Sequence, residues 1–180
     1  MEDFDSIPAV DQESRLTLTG TNTVGNHVSI PGLDGWYGAR LGGSGSGNIT
    51  LWEDSPGAGG RFYSWGEGNN RSLGSLASGT NVQGFGVALR NDSEHTYQEV
   101  VISYTQRIWH LQGTSTDNLY RNWLNFGYGL STDGISINNF LTSSSMIEFP
   151  DLDVVSPASN TVTATNTSTD PDRRVNGMDS

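Results

Sequence analysis

The longest readable segments of this chain alternate apolar and polar residues with a period of two, and no window carries an apolar stripe at the helical period over three turns. Successive side chains of a strand point to opposite faces, so this alternation marks strands with one buried and one solvated face. It is clearest over Tyr97 to His110, where Val100, Ile102, Tyr104 and Ile108 share one face and Glu99, Ser103, Thr105 and Arg107 the other. Val82 to Arg90 groups Phe85, Val87 and Leu89. Val82 is out of phase with them, which predicts a bulge at Gly84. The turn Asn91-Asp92-Ser93-Glu94 predicts that these two strands form a hairpin. Leu119 to Leu130 gathers Leu124, Phe126, Tyr128 and Leu130 opposite Arg121, Trp123 and Asn125. Shorter strands are predicted over Arg15 to Thr19, Asn48 to Trp52 and Arg61 to Trp65.

Strand after strand separated by turns, with no helical segment, gives an all-β chain. We expect a two-sheet antiparallel β-sandwich of jelly-roll type. With 180 residues there is room for one such domain. We place it at residues 1–157, followed by a polar tail at 158–180 that is loosely held or adds an edge strand. The first few residues are expected to be mobile. Gly42 to Gly47 reads as flexible punctuation, because it lacks the Lys and the following helix of a phosphate-binding loop.

The net charge of -11 narrows the partners, and all nine cations are Arg. Such a field repels phosphate backbones and anionic lipid, so neither nucleic acid nor a membrane surface suits it. No apolar run approaches the roughly 20 residues that span a bilayer, so no membrane insertion is expected. There is no Cys, which excludes disulfides and thiolate metal sites. The opening Met1-Glu2-Asp3-Phe4 has no basic, apolar leader, and we read it as a start that replaces a removed one.

Several phrases taken together resemble a known module. They are Phe4-Asp5-Ser6-Ile7, Gly60-Arg61-Phe62-Tyr63-Ser64-Trp65-Gly66, Asn70 to Gly79, Val101 to Trp109, and Leu124-Asn125-Phe126-Gly127-Tyr128. Their order and spacing are similar to the N-terminal jelly-roll-like module of secreted or sorted surface proteins from environmental bacteria, some of which carry it upstream of extracellular nuclease domains. The resemblance covers roughly residues 4 to 160. It implies a jelly-roll-like fold and an extracellular or cell-surface location, and it assigns no catalytic residue. Members of that family continue past the equivalent of Arg174-Val175-Asn176-Gly177 with two further strands, so the expectation is either a fragment or strands that come from elsewhere. The resemblance thus implies a sandwich short of its last strands, open to completion by a neighbour through strand addition.

No catalytic constellation emerges, and no enzyme is expected. His27, His95 and His110 are unpaired in sequence, so zinc has no support. Residues 43–47 approach the Gly-x-Ser-x-Gly pattern only if its spacing is stretched. Glu53, Asp54, Glu94, Glu99 and Glu148 supply carboxylates, but nothing sets a separation suited to glycoside hydrolysis. No resident cofactor is expected. Calcium is the one candidate ion, because Asp151-Leu152-Asp153 and Asp170-Pro171-Asp172 offer oxygen ligands in loops.

The aromatics carry more information. Trp36, Tyr37, Trp52, Tyr63, Trp65, Trp109, Tyr120 and Trp123 are many for so polar a chain. Trp109 and Trp123 fall opposite the predicted core faces and share those outer faces with Arg107 and Arg121. They are either exposed platforms for sugar rings, rings packed against Arg, or signs of a shifted register. Trp109, Trp123, Arg107 and Arg121 are therefore the candidate ligand-binding residues. The expectation is a non-catalytic structural or adhesive surface module that assembles with other copies by strand addition. The alternative is a carbohydrate-binding module whose partner is a polysaccharide.

Overall fold

The computed structural model describes residues 2–8, 15–53, 60–67, 69–110, 123–131, 141, 146–155 and 174–179. Among them the chain is all-β, with no α-helix, and Pro150–Leu152 forms a short 3-10 turn.

Two larger sheets form the centre. The first orders β1 (Leu16–Thr17), β4 (Thr50–Glu53), β5 (Arg61–Glu67) and β6 (Asn70–Leu76) side by side. The second orders β2 (His27–Ser29), β3 (Trp36–Gly42) and β7 (Val82–Val87). Pairing is antiparallel except between β4 and β5, which run parallel with Leu51 opposite Phe62. The predicted strands at Arg15, Asn48 and Arg61 correspond to β1, β4 and β5.

The inner faces meet across one apolar layer. Ile7, Leu18, Ile30, Leu33, Ile49, Leu51, Phe62 and Leu73 form its buried core, with Phe4, Val28, Trp36 and Phe85 packed against it. Phe62 of β5 joins the two sheets: its ring lies 6.5 Å from that of Phe85, edge to face. A Cβ on Gly38 of β3 would come within 2.9 Å of the Phe62 ring, so that position must stay bare. Residues 4–8, expected to be mobile, instead belong to this core. Ile7 is buried, Phe4 meets Trp36 edge-on at 5.0 Å, and Asp5 Oδ1 accepts from the Arg71 backbone N–H at 2.9 Å. Enough apolar area is buried there to offset the entropy that frees most chain ends.

Polar groups close the layer at its margins. On the inner face of β3, Arg40 is wholly buried and meets only carbonyls. It donates from Nε to Thr21 O at 3.0 Å, and from Nη1 and Nη2 to Gly45 O and Gly47 O. The Gly42 to Gly47 stretch is therefore a cradle for a guanidinium rather than flexible punctuation. Arg71 sits on the inner face of β6, where it donates to Ser64 Oγ at 3.0 Å and pairs with Glu53 at 2.9 Å. Gln83 of β7 donates to Leu76 O of β6 at 3.0 Å, a polar tie between the sheets. Buried polar groups are tolerable only when partnered in this way.

Beyond β7 the architecture changes to two-stranded ladders. β8 (Arg107–His110) pairs with β13 (Arg174–Asp179), β9 (Trp123–Leu124) with β12 (Val154–Val155), and β10 (Gly127–Tyr128) with β11 (Ile147–Glu148). Three expectations change here. Strand β7 pairs with β3, not with the segment starting at Tyr97. The irregularity lies on β3, between Arg40 and Gly42 opposite Gln83 and Val82, and the Leu41 side chain lies over Gly84, where an added Cβ would meet it at 2.7 Å. Of the long strand predicted over Tyr97 to His110, only Arg107–His110 is a strand. A strand needs a hydrogen-bonding neighbour as well as alternation, and residues 97–106 have none among the described residues.

Candidate functional site

Residues 102–106 and 151–154 run past each other and leave an open groove of about 450 Å3 between them. One wall is the extended segment Ile102 to Gln106. The other is the Pro150–Leu152 turn with Asp153 and Val154, and Pro150 at its first position favours such a turn. Tyr104 bridges the walls: its hydroxyl donates to Leu152 O at 2.9 Å. Its ring stacks on Phe126, with centroids 5.6 Å apart and planes 12° from parallel. Asp153 Oδ1 accepts from the Phe126 backbone N–H at 2.7 Å, which fixes the end of the second wall.

Of the four candidate residues, Trp123 is the one whose side chain is described, and it stands 67 % exposed on β9. It pairs in register with Val155, directly after the groove wall. Trp109 and Arg107 lie on β8, but their side chains, like all of Arg121, fall outside the described residues. The sequence reading missed Tyr104 and Gln106 because it assigned that strand's apolar face to the core. It singled out Asp151 and Asp153, but as ligands for calcium. Among the described residues no three His, Asp or Glu side chains converge on a metal position. Glu53 is engaged with Arg71. The imidazole of His27 is buried, with Nε2 accepting from Leu141 N–H at 3.0 Å, and His95 is exposed.

A second aromatic cluster occupies the outer face of the four-stranded sheet. Tyr63 stacks on Trp65 with centroids 4.5 Å apart, and both are buried. Gly74 lies against Trp65, where a Cβ would meet the indole at 2.6 Å. Beside them Arg61 lies over Trp52 at 3.4 Å, with Arg15 at 5.7 Å from the same ring. Burial lowers the Arg61 pKa from its usual value; Tyr63 opposes that shift and Arg15 adds to it. The guanidinium remains a cation even so. Arg thus packs on Trp at Trp52, a different pair from the expected Arg107 and Arg121 with Trp109 and Trp123.

The fold and the site thus define an all-β protein with one packed sandwich core and an aromatic, acidic groove beyond it. Comparison of the chain with protein-family models, with curated proteins and with solved structures finds no match. No helix among the described residues is long and apolar enough to cross a membrane.

Proposed function

We propose that this chain is a non-catalytic surface module of an exported protein, and that it associates with other copies of itself by strand addition. The observation that carries this reading is the segment before β8. Residues 97–105 make no backbone hydrogen bond to any described residue. Tyr97, Val100, Val101 and Ile102 are exposed, Val100 at 71 % and Val101 at 81 %. An alternating segment left unpaired among the described residues is what another chain pairs with most readily. A second copy supplies an identical segment, and two such strands can pair antiparallel about a twofold axis. The acidic composition and the resemblance to bacterial surface modules support the exported location.

The net charge makes the reading testable, because like-charged copies repel until salt screens them. Light scattering on fractionated protein should show mass rising with concentration, and more so at about 0.5 M than about 0.05 M salt, where the screening length shortens several-fold. Val101→Asp should hold the protein monomeric under all these conditions. A wild-type chain that stays monomeric at millimolar concentration in high salt would sink the proposal.

One observation favours a second reading. An indole as exposed as Trp123, beside a groove lined by carboxylates, is a platform for the apolar face of a sugar. Affinity electrophoresis through soluble polysaccharides tests it. Retardation that Trp123→Ala abolishes, with the fold intact, supports the sugar reading; no retardation by any polysaccharide counts against it.

A further inference from the structure

We propose that the groove between residues 102–106 and 151–154 holds a chain of hydroxyl-rich, uncharged or amino-bearing sugar residues, with the Gln106 amide as its central acceptor. This rests on the sugar reading of Trp123 and adds to it the site and the ligand's charge.

Three features point the same way. The first is an unmet acceptor. Gln106 lines the groove, and its Oε1 is enclosed yet accepts no hydrogen bond. Buried acceptors are nearly always paired, so an unpaired one in a groove wall calls for a donor from outside. The terminal amide torsion is soft, so the amide can reorient to meet a ligand in the groove. The second is the sign of the lining. Among the described residues, the groove walls contain Asp151 and Asp153 and no Arg, Lys or His. Asp153 spends one oxygen on the Phe126 N–H. A carboxylate has lone pairs to spare after one bond and can take two neighbouring hydroxyls. Such a lining accepts hydrogen bonds and repels anions, so it takes donors and rejects uronates, sulfates and phosphates. The third is the ring surface. Tyr104 is held by its hydroxyl on Leu152 O and by its stack on Phe126, yet stays half-exposed. A fixed, partly open ring flanked by acceptors matches a pyranose, which offers an apolar face and a rim of hydroxyl donors.

The test uses the full chain and three oligosaccharide probes of similar length in titration calorimetry: cello-oligosaccharide (neutral), chitosan oligosaccharide (amino) and oligogalacturonate (acidic). A lysine-rich peptide is the fourth arm. The neutral or amino probe should bind and the acidic one should not. Gln106→Leu should weaken that binding about tenfold, the loss of one net hydrogen bond. The same substitution should leave the unfolding midpoint of the free protein unchanged or raised, because it removes an unmet buried acceptor. A purely structural role for Gln106 moves the two readouts together, so this opposition is diagnostic. Tyr104→Ala should abolish binding. If a glycan binds and needs Trp123 but tolerates both Gln106→Leu and Tyr104→Ala, the sugar reading stands and the groove assignment is overturned. If the acidic probe binds best, or only the peptide binds, the groove's ligand class is overturned. If no glycan binds at all, the sugar reading falls and this proposal with it.

Discussion

Residues 2–87 and residues 88–155 carry the same kind of alternating pattern and end in opposite states. In the first region the apolar positions Ile7, Leu51 and Phe62 are completely or almost completely buried. In the second, Val100, Val101, Leu124, Leu130, Ile147 and Phe149 are exposed. What separates the regions is a second layer. β5 and β7 each find a facing sheet across the Phe62 and Phe85 rings, and polar anchors at Arg40, Arg71 and Gln83 close the margins. The second region has short two-stranded ladders and no facing sheet among the described residues. Alternation thus states which side chains could be buried; burial itself requires an opposing surface.

The comparison breaks if the first region does not depend on its shared layer. Phe62→Ala should cost about 3–5 kcal/mol in denaturant unfolding, because it empties the contact between the sheets. A loss below about 1 kcal/mol would mean that the sheets do not rest on this ring. Arg40→Met should cost about 2 kcal/mol by leaving the carbonyls of Thr21, Gly45 and Gly47 without their donor. It should also open residues 43–47 to limited proteolysis, and unchanged resistance would show that the loop does not need the guanidinium. Gly66→Ala should cost about 1–2 kcal/mol. Gly66 has φ +93°, and an added Cβ would sit 2.1 Å from Asn70 O at the β5–β6 turn. Smallest of all, Val101→Asp and Trp123→Ala should each change stability by less than about 0.5 kcal/mol, because neither side chain is packed. A loss of about 2 kcal/mol at either position would mean that the second region has a core of its own.

The legible strands were those whose inner positions are apolar. β4 and β5 place Leu51 and Phe62 inward and read directly from the sequence. β3 and β6 did not, because each sends an arginine inward. Arg40 and Arg71 sit where a pattern reader expects Leu, and Gly38 and Gly74 supply no side chain at all. Nothing local announces a buried guanidinium; its carbonyl and carboxylate partners come from other segments. The reverse error affected residues 97–106 of the stretch Tyr97 to His110, where a clean pattern meets no partner among the described residues. Of the site, the exposure of Trp123 was legible as one of three outcomes. The groove was not, since its walls are brought together by a turn almost 50 residues away, as in the Tyr104 to Leu152 bond.

Amide hydrogen exchange over residues 97–105, followed from dilute to concentrated protein in high salt, tests the central contrast most directly. An unpaired segment that other copies complete should exchange within seconds when dilute and become protected as the protein associates, while β5 and β6 stay protected throughout. Slow exchange of those amides in the dilute monomer would show that the segment is already paired within its own chain, and would contradict the account.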